Sequence, residues 1–148
     1  MNIDWDVETE GGGAYEPGTY RVCIKSIEEV EAKSSGNMQL RIKTEFLDGN
    51  YKGKQLTDHI TLVDSVGWKL VKFIKGMGVD INDVKSKIKD TQSPEFRGFL
   101  NKLIGRTTVW VVGTKPDRDN PAVLRNIIND YQPDPKAEEK ALEESWLD

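Results

Sequence analysis

The sequence predicts a mainly β fold: a five-stranded Greek-key barrel with a helical insert between its third and fourth strands. Three observations predict it. Residues 38–46 alternate without a break, with Met38, Leu40, Ile42, Thr44 and Phe46 to one side and Gln39, Arg41, Lys43 and Glu45 to the other. That is the period of a strand with one buried and one wet face. Segments of strand and helix character follow in the order strand, strand, strand, helix, strand, strand. The first strand changes phase part-way along, which bends it.

Each element has a local cause. Pro17-Gly18 opens the first strand, residues 19–31, with Tyr20, Val22 and Ile24 facing the core and Arg21, Cys23 and Lys25 facing away. The apolar phase then slips to Ile27, which predicts a bulge near Lys25-Ser26. Residues 34–37 form the turn into the second strand, residues 38–46. Asp48-Gly49-Asn50 and Gly53 break that strand, and a third follows over residues 54–62, so the pair is a hairpin. Its loop carries Tyr51, Lys52 and Lys54.

Asp64 or Ser65 can cap a helix over residues 66–77, stopped by Gly78. Val66, Leu70, Phe73, Ile74 and Met77 fall on one stripe, and Lys69, Lys72 and Lys75 lie off it. Trp68 projects near the lysine side, where it either covers a neighbouring loop or contacts a partner. Residues 82–89 read as a short second helix. Ser93-Pro94-Glu95 opens a third, with serine as cap and proline at the first helical position. Its Phe96, Phe99, Leu100 and Leu103 face the core, and Gly105 ends it. The fourth strand covers residues 106–112, a turn-rich loop 113–121, and the fifth strand 122–129. A β-sandwich would need more strands, and a parallel sheet a helix between most of them. The order matches the OB-fold, whose ligand face lies on strands two and three and the first and last inter-strand loops.

The net charge of −4 hides an uneven distribution. Residues 1–16, an acidic Gly-rich segment, hold five acids and no base, and residues 133–148, an acidic tail, hold six acids against Lys136 and Lys140. The domain between them, residues 17–132, keeps 14 acids and 19 bases, a net +5. A basic body between acidic ends points to a polyanionic partner. No apolar run approaches the ~20 residues that span a bilayer, so no membrane association is expected. The N-terminal residues lack the layout of a signal peptide. Cys23 is the single cysteine, which fits a reducing cytoplasm.

The stretches Tyr15-Glu16-Pro17-Gly18-Thr19-Tyr20, Ser35-Gly36-Asn37 with its following strand, and Leu47-Asp48-Gly49-Asn50-Tyr51-Lys52-Gly53-Lys54 carry a resemblance. They resemble a family of small phage proteins encoded beside recombination and replication genes, read as OB-fold single-stranded DNA-binding proteins. The resemblance covers residues 1–78. It implies single-strand binding in phage or prophage replication or recombination, in the host cell cytoplasm. It also implies that the acidic C-terminal tail docks phage or host replication and recombination proteins.

Single-strand binders need cations to follow phosphates and flat rings on which bases stack, each stack contributing about 1–3 kcal/mol. The candidate nucleic-acid-binding residues are Arg21 on strand one, Arg41 and Lys43 on strand two, and Tyr51, Lys52 and Lys54 in the hairpin loop. His59 on strand three, Trp110 on strand four, Lys115 and Arg118 in the last loop, and Arg125 on strand five complete the set. Trp110 sits in a strand apolar on both faces, so burial competes with stacking there. In the tail, Trp146, Leu147 and Asp148 are the candidate partner-binding residues, a bulky apolar pair among carboxylates. The same tail can occupy the basic groove when DNA is absent.

His59 has no cysteine or acid cluster at ligand spacing, so neither metal nor cofactor is expected. A nuclease would need acids clustered on the body to hold Mg²⁺, whereas the acids concentrate in the ends; the chain is not expected to be an enzyme. The alternative is a protein-binding OB domain or DNA-mimicking inhibitor that ignores oligonucleotides. A homo-oligomer is as compatible with the pattern as a monomer.

Overall fold

The computed structural model describes residues 14–33 and 35–136. Five strands, β1 (Gly18–Glu31), β2 (Met38–Phe46), β3 (Gln55–Thr61), β4 (Thr107–Pro116) and β5 (Leu124–Pro133), form one sheet in the order β3-β2-β1-β4-β5. A 3₁₀ turn (Asp64–Val66) and three helices, α1 (Gly67–Gly76), α2 (Ile81–Lys87) and α3 (Pro94–Leu103), lie between β3 and β4. The expected mainly β architecture with its helical insert is therefore present.

Every neighbouring pair of strands is antiparallel. The two edge strands, β3 and β5, consequently run in the same direction. β1 is long enough to serve two partners: its first residues pair with β4 and its later ones with β2. The register shift between Ile24 and Ser26 falls where the phase slip predicts a bulge, and it lets one strand turn from one partner to the other.

The core follows from the alternation. Leu40, Ile42 and Phe46 of β2, Val22 and Ile24 of β1, and Leu56 and Ile60 of β3 are buried, with Thr44 and Asp58 buried on the same faces, and the side chains between them on β2 and β3 reach solvent. Phe73, Ile74 and Met77 from the end of α1 and Phe96, Phe99, Leu100 and Leu103 from α3 join them. Ser93 caps α3 by accepting a hydrogen bond from Phe96 N, with proline at the first turn as expected. Asp80 does the same for α2 through Asn82 N.

α1 lies directly against β5. A Cβ placed on Gly76 would stand 2.5 Å from Tyr131 Cβ and 2.8 Å from its carbonyl carbon, so only glycine permits this approach. The Thr108 hydroxyl lies 2.7 Å from Gly76 O and 2.9 Å from Gln132 O, tying helix and strand together.

Two local expectations differ from the structure. Neither Asp64 nor Ser65 caps α1; a 3₁₀ turn leads into it, and no side chain caps its start. The last hairpin is longer than its turn residues predict. The ladder continues through Gly113↔Ile127 to Pro116↔Leu124, after a bulge between Val111 and Val112, and β5 extends past Tyr131 to Pro133. Pairing with a partner strand holds Gly113 extended although glycine favours turns, and the β-branched Thr114 continues the strand. Among the described residues, no helix is long and apolar enough to cross a membrane.

Candidate nucleic-acid interface

Among the described residues, tyrosine side chains join the seam between β3 and β5 at two points. At one, the Tyr131 hydroxyl of β5 donates to the Asp58 carboxylate of β3. Lys69 of α1 adds to this joint, its Nζ donating to Asp58 Oδ1 at 3.2 Å and to His59 O at 3.0 Å. At the other, Tyr15 spans the gap. Its N–H donates to Asn126 Oδ1 (2.8 Å), its carbonyl accepts from Asn126 Nδ2 (2.9 Å), and its hydroxyl donates to Gln55 O (2.7 Å).

A cleft of about 600 Å³ opens along this seam, lined by Thr57 and His59 of β3, Lys69 of α1, Lys115 of β4, and Arg125 and Ile128 of β5, among others. Lys115 and Arg125 are direct cross-strand partners. Like charges placed opposite one another repel. Asp117, 3.4 Å from Arg125 Nη1, offsets part of that repulsion; Lys115 has no carboxylate partner among the described residues.

The wet face of β2 continues from the cleft. Arg41 pairs in register with His59, and Lys43 with Thr57. The His59 imidazole is held below its usual pKa, first by partial burial and then by the positive charges of Arg41, Lys69 and Arg125, against the opposing pull of Asp58. That ring therefore senses cations from three separate elements at once.

The sequence-derived candidates divide accordingly. His59, Lys115 and Arg125 line the cleft, and Arg41 and Lys43 lie on the adjoining face, Arg41 paired with Glu28 at 2.9 Å. Lys52 and Lys54 are exposed on the β2–β3 turn, and Arg118 is exposed on the β4–β5 turn; none of the three lines the cleft.

Trp110 is a correction: it is 0% exposed, packed edge-on against Tyr131, and no base can reach it. Trp110 and Val112 belong to the core, and Val109 on the opposite face of β4 is buried too, which is why both faces read as apolar. Arg21 is also committed elsewhere, its guanidinium gripping Asp134 (3.1 Å) and Asp48 (3.2 Å). Tyr51 is half-buried among Tyr15, Tyr20 and Phe46, and its hydroxyl accepts from Glu16 N. It locks the N-terminal approach to the hairpin turn instead of offering a free ring. Trp146, Leu147 and Asp148 lie outside the described residues, as do residues 1–13.

Sequence reasoning missed Lys69 and left Trp68 unassigned. Trp68 is 61% exposed at the start of α1, with Lys72 Nζ 6.0 Å from its ring centre. Lys72 in turn meets Asp130 of β5 at 3.3 Å, so the first turns of α1 straddle the seam with Lys69 on β3 and Lys72 on β5. Their position off the apolar stripe was the available signal.

Residues 4–93 match the model of the family described as "Protein of unknown function (DUF669)". The chain belongs to this family. The matched stretch of DUF669 contains β1 to β3, α1 and α2, hence Arg41, His59 and Lys69, and stops before α3 and the β4–β5 hairpin. No curated protein matches the chain.

Proposed function

We propose that this DUF669 protein is a sequence-tolerant single-stranded DNA-binding protein, a binder and not an enzyme. Its setting is phage or prophage replication or recombination in the host cytoplasm. The observation that carries the reading is the Lys115–Arg125 pair, two cations held opposite each other on a cleft whose other wall carries His59 and Lys69. A phosphate between or beside them relieves their repulsion, and a strand of phosphates can continue toward Arg41 and Lys43 on the face of β2. Trp68, exposed beside Lys72, supplies a ring for a base. Charge contacts and ring stacking do not distinguish one base from another, which is why the binding is sequence-tolerant.

The test is fluorescence anisotropy of labelled oligo-dT titrated with the full chain across a salt series. Binding in dilute buffer that weakens with salt, by about −0.7 in the log–log slope for each phosphate contact, supports the reading. Absence of binding in dilute buffer rejects it in favour of a protein-docking domain.

A further inference from the structure

A second concave surface lies on the helical insert, away from the seam. α1, α2 and the start of α3 enclose a groove of about 400 Å³ whose walls are apolar, with Leu70, Ile74, Ile81 and Ile88 among them. Lys75, Lys85 and Lys89 border it, all exposed and without a carboxylate partner among the described residues. The carboxylate in the lining, Asp90, is occupied locally, accepting from Gln92 N at 2.8 Å. An apolar trough edged by unpaired lysines fits a segment that combines bulky apolar side chains with carboxylates.

We propose that this groove holds residues 137–148 of the same chain. That stretch contains Leu142, Trp146 and Leu147 among Glu138, Glu139, Glu143, Glu144 and Asp148, with Lys140 its single base. Apolar residues at positions i, i+4 and i+5 can enter the trough together while the acids meet the lysines. The route is short. Gln132 near the end of β5 shares the Thr108 hydroxyl with Gly76, the residue next to Lys75. Twelve residues extended at about 3.3 Å each reach about 40 Å, ample to cross three short helices. The docking is independent of DNA: it puts the acidic segment on the insert and leaves the β3–β5 cleft open.

The experiment compares methyl NMR spectra of the full wild-type chain and the Trp146→Ser/Leu147→Ser double variant over a tenfold dilution. The proposal predicts that the Leu70, Ile74, Ile81 and Ile88 methyls shift in the variant, equally at all concentrations, while Ile127 and Ile128 in the cleft do not. A second variant, Lys85→Glu/Lys89→Glu, alters two exposed positions and should move the Trp146 indole resonance toward its free position. Unchanged groove methyls overturn the proposal. Shifts confined to Ile127 and Ile128 overturn it in favour of the cleft, and shifts that fade on dilution overturn it in favour of a second copy.

Discussion

The Tyr131 hydroxyl donates a hydrogen bond to the Asp58 carboxylate across the seam, joining the two edge strands of the sheet. Burial, and then the charge of Asp58, raise the phenol's pKa, so it remains a donor at any working pH. An open sheet would leave both edges as templates for aggregation; here a side-chain contact replaces the missing ladder.

Tyr131→Phe keeps the ring against Phe73 and Trp110 and removes only this bond. The buried Asp58 would then depend on Lys69 alone. A loss of about 1–3 kcal/mol is expected in urea unfolding. An unchanged midpoint would mean that the seam is closed by Tyr15 and α1 without it.

Gly76→Ala should destabilise the fold by about 1–3 kcal/mol through overpacking, although alanine is the better helix former by about 1 kcal/mol. The obstacle is Tyr131 backbone, which cannot rotate aside. Urea denaturation again measures it, with the exposed Gly98→Ala as a control, since nothing lies within 4 Å of a Cβ there.

The Arg21–Asp134 pair sets an acid limit on stability. Burial pushes the Asp134 carboxyl up, but hydrogen bonds from Arg21 and from the Lys136 amide outweigh it and hold the pKa below the usual value. A depressed folded pKa contributes stability that is complete above the unfolded value, about 3.9, and is lost as pH falls through the folded value. Asp134→Asn should therefore cost about 2 kcal/mol at pH 7 and progressively less below pH 4. Melts that keep the same difference at low pH would contradict this.

Trp68→Ala should weaken oligo-dT binding by about 1–3 kcal/mol if the ring carries a base, with Trp68→Phe restoring part of the loss. The side chain is exposed, so stability should barely change. Equal affinities for the three proteins would remove Trp68 from the interface.

Much of the fold was legible because the deciding forces are local. β2 alternates between partly exposed and buried from Gln39 to Phe46, as its residue types require, and only Met38 at its start, expected on the core side, is exposed. The β1 bulge and the Ser93 cap were equally readable. What escaped depends on distant partners. Arg21 reads as a free surface cation until Asp134, 113 positions away, comes beside it. Lys69 reads as a solvated helix charge until Asp58 is set under it. The reach of β4 was hidden because Gly113 signals a turn, and only pairing with Ile127 overrides that preference. For the site, the sequence displays which cations exist; which of them meet is decided by barrel closure, and that selects Lys115 and Arg125 over Arg21 and Lys52.

The most direct measurement is the salt dependence of oligo-dT affinity for wild type against Lys115→Gln/Arg125→Gln. Both side chains are exposed, so circular dichroism should report an intact fold. If the seam cleft binds phosphates, the log–log slope shrinks in magnitude by about 1.4 and affinity at low salt falls. A variant that binds with the wild-type affinity and slope would contradict the account.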